Sequence, residues 1–247
     1  MTAIYRTALV TGASSGIGRA VAVRLRRAGM QVLALGRSAE ALQSLTAEHD
    51  VTPIVADVRQ TGSIADLFAR REIDVLVNNA GLLSTRAAFQ DIAHLDIDEM
   101  IDVNLKAPLH LARLALPNMI AQRRGHLFFI GSIAGRWPHP NSAVYGASKA
   151  GVSLFCDSLR CDLLGTGVRV TEIAPGRVET QLYRTALGPQ RAQAELYDGY
   201  RTMSPEDVAD ILEAALSMPA HVDVSRIEVL PTSQAVGGGR IVKDHGS

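Results

Sequence analysis

The sequence predicts an α/β fold, a doubly wound parallel sheet of about seven strands with helices on both faces. Three observations predict it. Short apolar runs alternate along the chain with segments of helical spacing. The short runs are apolar at successive positions, as strands covered on both sides must be. A glycine-rich turn joins the first such run to the first helical segment, at 11–18.

The elements follow in order. Residues 7–10, TALV, form a strand, and 16–29 form a helix with Ile17, Val21 and Leu25 on one face and Gly29 at its end. Residues 31–35 form a second strand, and 38–48 a helix capped by Ser38. A third strand (51–57), a helix (63–70) and a fourth strand (73–79) come next. The segment 97–123 reads as one long helix with an irregularity at Pro108. Strand five (125–132), a long helix (142–164) and strand six (168–175) follow. A helix at 204–217 opens on Ser204 with Pro at its first position, and a last strand spans 226–231. Right-handed crossovers then place a ligand crevice at the carboxyl ends of the strands.

The chain has 247 residues, 47% hydrophobic and 20% charged, a balance that fits one domain, 1–247. Formal net charge is zero, so no basic stripe points to nucleic acid. No apolar run reaches membrane-span length, and the N-terminus enters a strand without a charged and then apolar leader. Cys156 and Cys161 diverge on one helix, which predicts no disulfide and a reducing, cytoplasmic setting. The seven histidines lack metal-ligand spacing, so no metal site is expected.

In TGASSGIG, Gly12 permits the tight turn, Gly16 lets backbone approach a pyrophosphate, and Gly18 lets the helix pack closely. The helix start offers free N–H groups to phosphates. YGASK places Tyr145 and Lys149 four positions apart, on one helical face. An ammonium there would lower a phenol pKa, otherwise about 10, into the range of an acid/base. Where an NAD-selective chain carries an acid after the second strand, this one has Gly36 and Arg37. A guanidinium there suits a 2′-phosphate, which predicts NADP(H) over NAD(H), with hydroxyl contacts from Ser14 and Ser38.

With its Gly-x-x-x-Gly-x-Gly turn, NNAG at 78–81, Ser132 in IGSIAG and YGASK, the chain resembles the short-chain dehydrogenase/reductase family over its whole length. The resemblance implies a Rossmann-type fold and an alcohol–carbonyl oxidoreductase transferring the pro-S hydride of the nicotinamide. It implies a catalytic set of Asn104, Ser132, Tyr145 and Lys149. Tyr145 would be the acid/base, Lys149 would also hold the nicotinamide ribose, Ser132 would fix the substrate oxygen, and Asn104 would hold a relay water. Cofactor contacts are implied for Gly12, Ser14, Ser15, Gly16, Ile17 and Gly18 in the turn. Ser15 stands where many NADP-preferring members are basic, so one of two selective charges is present. Asp57 and Val58 would line the adenine, and Asn79, Ala80 and Gly81 its ribose. Pro175, Gly176, Val178 and Thr180 would flank the nicotinamide.

GSIAGRWPHPNSAVYGASKA, VRVTEIAPGRVET and IEVLPTSQ resemble the subgroup of NADP-dependent 3-hydroxy acid and serine dehydrogenases and sulfoacetaldehyde reductases. Those substrates carry an anion, for which Arg184, Arg136 and Arg177 are candidates in that order. Trp137 reads equally as pocket wall or core. Residues 181–203 read as a mobile substrate lid and 235–247 as a mobile tail. A broad carbonyl or 3-oxoacyl reductase and a non-catalytic NADP-binding sensor are the alternatives. The family usually forms tetramers, and Val152, Leu154, Phe155 and Leu159 supply apolar surface for a homo-oligomer, dimer or tetramer.

Overall fold

The computed structural model describes residues 5–237 and 240–243. Seven parallel strands lie in the order β3-β2-β1-β4-β5-β6-β7. They are β1 (Thr7–Thr11), β2 (Gln31–Gly36), β3 (Thr52–Val55), β4 (Val75–Asn78), β5 (Gly125–Ile130), β6 (Val168–Pro175) and β7 (Arg226–Val229). The helices are α1 (Gly16–Arg27), α2 (Ala39–His49), α3 (Thr61–Arg70), α4 (His94–Ile101), α5 (Ala107–Ala121) and α6 (Ala143–Asp162). The shorter α7 (Gln181–Leu187) and α8 (Pro189–Ala192) precede α9 (Pro205–Leu216). The winding reverses between β1 and β4, and the crevice opens there.

Alternation along each strand builds two cores. Ala8 and Val10 of β1 face one side with Val21 and Leu25 of α1 and Leu212 of α9. Leu9 faces the other with Phe68 of α3, Leu111 of α5 and Cys156 of α6. The edge strand β3 departs from the two-sided apolar expectation, since Thr52, Pro53 and Val55 are exposed. β6 buries two charges, Arg169 and Glu172, whose partners come largely from neighbouring elements. Arg169 donates to the carbonyls of Leu216 (2.9 Å), Met218 (3.2 Å) and Val222 (3.1 Å), at and beyond the C-terminal end of α9, where a cation is favoured. Glu172 pairs with Arg226 of β7 and accepts from Ser153 Oγ at 2.9 Å.

The irregularity expected at Pro108 is present. Between α4 and α5 the turn Asp102–Lys106 widens to π geometry, and the Ala107 N–H donates to Asp102 O. Proline has no N–H to give the carbonyl four residues back, which is Asn104. Ser38 caps α2 by accepting from the Ala41 N–H, and Ser204 forms a capping box with Asp207 on α9.

Gly18 carries the closest packing in the fold's first turn. A Cβ there would lie 2.3 Å from Gly12 O and 2.4 Å from Asn79 Nδ2. Gly18→Ala should therefore cost about 3 kcal/mol, the upper end of an overpacked site, read as a lower denaturant midpoint at unchanged m.

Residues 181–203 are ordered as α7, α8 and a π turn at Gln193–Tyr197, closed by pairing of Val178 with Met203. Ala192, Leu196 and Tyr197 bury a small cluster against Tyr183 and Leu187, which the polar look of the segment concealed. The tail was expected to be mobile from 235; in it, Ala235 N donates to Arg240 O and Val242 N to Ser233 O, each at 2.9 Å, so its described residues pair with one another. Its residues 238–239 and 244–247 lie outside the described residues. On α6, Val152 and Leu159 belong to the protein's own core, whereas Leu154 is 68% exposed. Among the described residues no helix is long and apolar enough to cross a membrane.

Candidate active site

A cleft of 610 Å³ runs along the carboxyl ends of the strands. The turn after β1 forms its floor. Gly12 and Gly16 have φ of +66° and +52°, which side-chain-bearing residues rarely adopt. Ser14, Ser15, Gly16 and Ile17 line the cleft, with Gly18 behind them. Ser15 precedes α1 without capping it, so the first N–H groups of the helix have no side-chain acceptor from that residue.

Asn79 fixes this turn from below. Its Nδ2 donates to Thr11 O at 2.9 Å, while the Asn79 and Ala80 N–H groups both donate to Thr11 Oγ1 at 3.0 Å. Asn79, Ala80 and Gly81 line the cleft as expected. Gly36 leaves room beside Ser14, whose Oγ would lie 3.2 Å from any Cβ there. Arg37 is exposed at the cleft edge. The Ser38 hydroxyl, expected at the phosphate, is bonded to the helix it caps. Asp57 and Val58 border the same end. Arg59 clamps both carboxylate oxygens of Asp57 at 2.7–3.1 Å and holds its pKa below the usual value. Asp57 thus orders its own loop, a role its sequence position did not show.

At the other end the cleft meets a second cavity of 250 Å³, and Ser132, Tyr145, Gly176, Tyr183 and Leu83 line both. Pro175, Val178 and Thr180 line the cleft beside this junction. Tyr145 and Lys149 lie one turn apart on α6, with Lys149 Nζ 5.9 Å from the Tyr145 ring centroid. Lys149 Nζ donates to Ile130 O at 2.8 Å. The Ser132 Oγ accepts from the Ala134 N–H at 3.1 Å, which leaves its own proton to donate.

Asn104 is buried in the π turn. Its Oδ1 accepts from Leu82 N and its Nδ2 donates to Leu82 O, both at 2.8 Å, with a third bond from Nδ2 to Ser148 Oγ at 3.3 Å. The side chain therefore ties the chain after β4 to α6. Gly81 fits between the groups, since a Cβ would lie 3.3 Å from Asn104 Oδ1 and 3.7 Å from Lys149 Nζ.

The electrostatics correct one expectation. Burial pushes the Tyr145 phenol well above its ordinary pKa, with the Ser132 hydrogen bond opposing it. Lys149 is not among the groups that shift it. Burial lowers Lys149 to about 8, and Glu172 partly restores it. Among the protein's own groups, desolvation outweighs the ammonium, and Tyr145 holds its proton through neutrality. Burial also raises the Cys156 thiol, which suits a core residue.

The expected anion-binding arginines separate. Arg184 pairs with Glu179 at 2.6 Å, donates to Gln193 at 3.1 Å and stacks on Tyr197. Arg136 is exposed, 3.9 Å from Asp157. Neither lines either cavity. Arg177 does line the smaller one, together with Arg86 and Ile241, which were not singled out from the sequence. Trp137 lines neither, is 40% exposed and donates to Glu228 at 3.0 Å.

Residues 6–190 match the family model described as short chain dehydrogenase. The chain belongs to the short-chain dehydrogenase family. An uncharacterised short-chain type dehydrogenase/reductase of Sinorhizobium fredii is 53% identical over 97% of this chain and 96% of its own. Sulfoacetaldehyde reductase 2 of Chromohalobacter salexigens is 42% identical over 96% and 98%. A solved closed form of serine dehydrogenase complexed with NADP+ superposes with a TM-score of 0.90, at 36% identity, over 93% of this chain and 96% of that one. The doubly wound Rossmann-type fold and oxidoreductase class of this short-chain dehydrogenase follow from these matches.

Proposed function

We propose that this short-chain dehydrogenase is an NADP(H)-dependent oxidoreductase that interconverts a small alcohol and its aldehyde or ketone, on substrates of the 3-hydroxy acid type that carry an anion. The observation that carries the reading is Tyr145, with Ser132 beside it and Lys149 one turn on, at the junction of a dinucleotide-sized cleft and a small cavity. The glycine turn, the uncapped start of α1 and the NADP+ complex of serine dehydrogenase support the cofactor. The sulfoacetaldehyde and serine relatives support an anionic substrate, and 250 Å³ favours short substrates over long acyl chains.

The nicotinamide supplies or accepts the hydride when bound. The chain's residues manage the proton and the geometry. Ser132 donates to the carbonyl oxygen and holds it beside Tyr145. Tyr145 gives its proton to that oxygen as the alcohol forms. Lys149 spends one N–H on Ile130 O and keeps two for the ribose side of the cleft. Asn104 positions the strand end and α6. Its carboxamide is bonded to protein, so a relay water would use its backbone carbonyl, which lacks its ordinary helical donor because of Pro108. A homo-oligomer through the exposed face of α6 around Leu154 belongs to the same proposal, and sedimentation velocity tests it.

The testing experiment is NADPH oxidation with sulfoacetaldehyde, malonic semialdehyde and a neutral aldehyde of similar size. The anions should be reduced faster. NADPH bound but consumed with none of them would overturn the reading. Arg37→Asp should reduce the preference for NADPH over NADH by about 10- to 100-fold, as expected for losing a charge-assisted phosphate contact. An unchanged preference would remove Arg37 from the cofactor site.

A further inference from the structure

Two arginines bring unpaired guanidinium atoms to the 250 Å³ cavity. Arg177, in the turn after β6, is only 6% exposed, and its Nη1 is buried without a hydrogen-bond partner. Arg86, in the segment after β4, has a buried Nε in the same condition. Neither has a carboxylate partner among the described residues, whereas Arg184 and Arg191 close by are each paired. Among the described residues Glu195 is the one acid on the cavity wall, and it is bound to Arg191 at 2.6 Å. Buried polar groups normally find partners, and two like charges in one small cavity repel. The cavity is built for a charge it does not itself contain.

The surroundings hold Arg177 in place for such a ligand. Its guanidinium lies 4.8 Å over the Tyr183 ring. Its N–H donates to Gln234 Oε1 at 2.7 Å, and its carbonyl accepts from Met203 N at 3.1 Å. The backbone of Arg177 is therefore fixed by Met203 and Gln234, and its arm lies against Tyr183. Ser132 and Tyr145 line the same cavity, so an anion held by the guanidinium pair would leave a carbonyl a short carbon chain away to reach them.

We propose that Arg177, assisted by Arg86, seats the carboxylate or sulfonate of the substrate and sets the enzyme's preference for anionic carbonyls. A guanidinium fork suits either group, and its depth excludes competing water. The inference deepens the function proposed above and rests on it for the identity of the reacting carbonyl.

The test has two readouts. The first is calorimetric binding of malonate and of ethanesulfonate to the NADP+-loaded protein, which needs no turnover. Wild type should bind both, and Arg177→Met and Arg86→Met should weaken them by about 30-fold or more and about 5-fold. The second is the ratio of kcat/KM for sulfoacetaldehyde to that for a neutral aldehyde of similar size. Arg177→Met should lower this ratio by about 100-fold, mainly through KM, and Arg136→Met should leave it unchanged. Anion affinity unchanged in Arg177→Met, or an equal loss on charged and neutral carbonyls, would overturn the inference while leaving the oxidoreductase reading standing. Arginine-dependent anion binding in a protein that reduces no carbonyl would uphold the seat and overturn the reaction instead.

Discussion

Tyr145→Phe should lower kcat for carbonyl reduction by about 10³-fold while NADPH affinity stays within about threefold. The phenol lies where the cleft and the smaller cavity meet, with Ser132 beside it and Lys149 one turn on along α6. Phenylalanine keeps the ring that packs with Leu83, Met100 and Val144 and removes only the hydroxyl. The loss should fall on kcat and kcat/KM together, because proton donation is needed only as the alcohol forms. Folding should be little affected, since the hydroxyl is a buried polar group in an apolar cluster. Stopped-flow NADPH fluorescence and steady-state rates measured on the same preparation check both halves of this expectation.

Lys149→Met should cost at least about 10²-fold in kcat/KM and yet stabilise the protein near pH 7. Lys149 is buried, and its pKa falls from 10.5 to about 8 on folding. The sign follows from proton linkage. Between pH 8 and 10.5 the unfolded chain binds more protons than the folded one, so wild-type stability rises with pH across that window. Below pH 8 both states are charged, and the folded state bears the whole desolvation penalty, about 3 kcal/mol at most. Losing the hydrogen bond to Ile130 O gives back about 1 kcal/mol or more. A net gain of about 1–2 kcal/mol at pH 7 is expected, shrinking toward pH 10. Urea unfolding at both pH values measures it. A variant less stable than wild type at pH 7 would show that the lysine is accommodated without strain. The expected pattern is a stability–activity trade-off located at one atom.

Much of this was legible in the sequence because period and punctuation carry it. The doubly wound parallel sheet follows from alternating apolar runs and right-handed crossovers, and every expected strand appears within a few residues of its place. An irregularity at Pro108 was readable from its missing N–H, though its π geometry was not. Tyr145 and Lys149 were placed together by their spacing on α6, and Ser132 by the family resemblance; all three line the cleft.

What failed to show depends on distance across the fold. Arg184 looked suited to a substrate anion, but Glu179 and Gln193 already occupy it, and no local pattern signals that pairing. Arg177 and Arg86 lie more than a third of the chain apart in sequence and come together only as walls of one cavity. The glycines of the tail gave no sign that Ala235 and Val242 pair with Arg240 and Ser233 or that Ile241 reaches the cavity wall. The charge balance at Tyr145 was misjudged for a related reason. Residue spacing reports that an ammonium is near, and only the packed structure reports how completely both groups are desolvated.

The most direct test of Tyr145 as the group that exchanges the proton is the pH dependence of kcat/KM in both directions. Reduction should stay level through neutrality, because the raised phenol pKa keeps the proton in place, and should fall above about pH 8 as Lys149 loses its charge. Alcohol oxidation, which needs the phenolate, should rise with pH up to about pH 8, level off above it where Lys149 loses its charge, and be abolished with Tyr145→Phe. Oxidation that is flat with pH, or a rise that survives in Tyr145→Phe, would contradict the assignment and place the acid/base elsewhere.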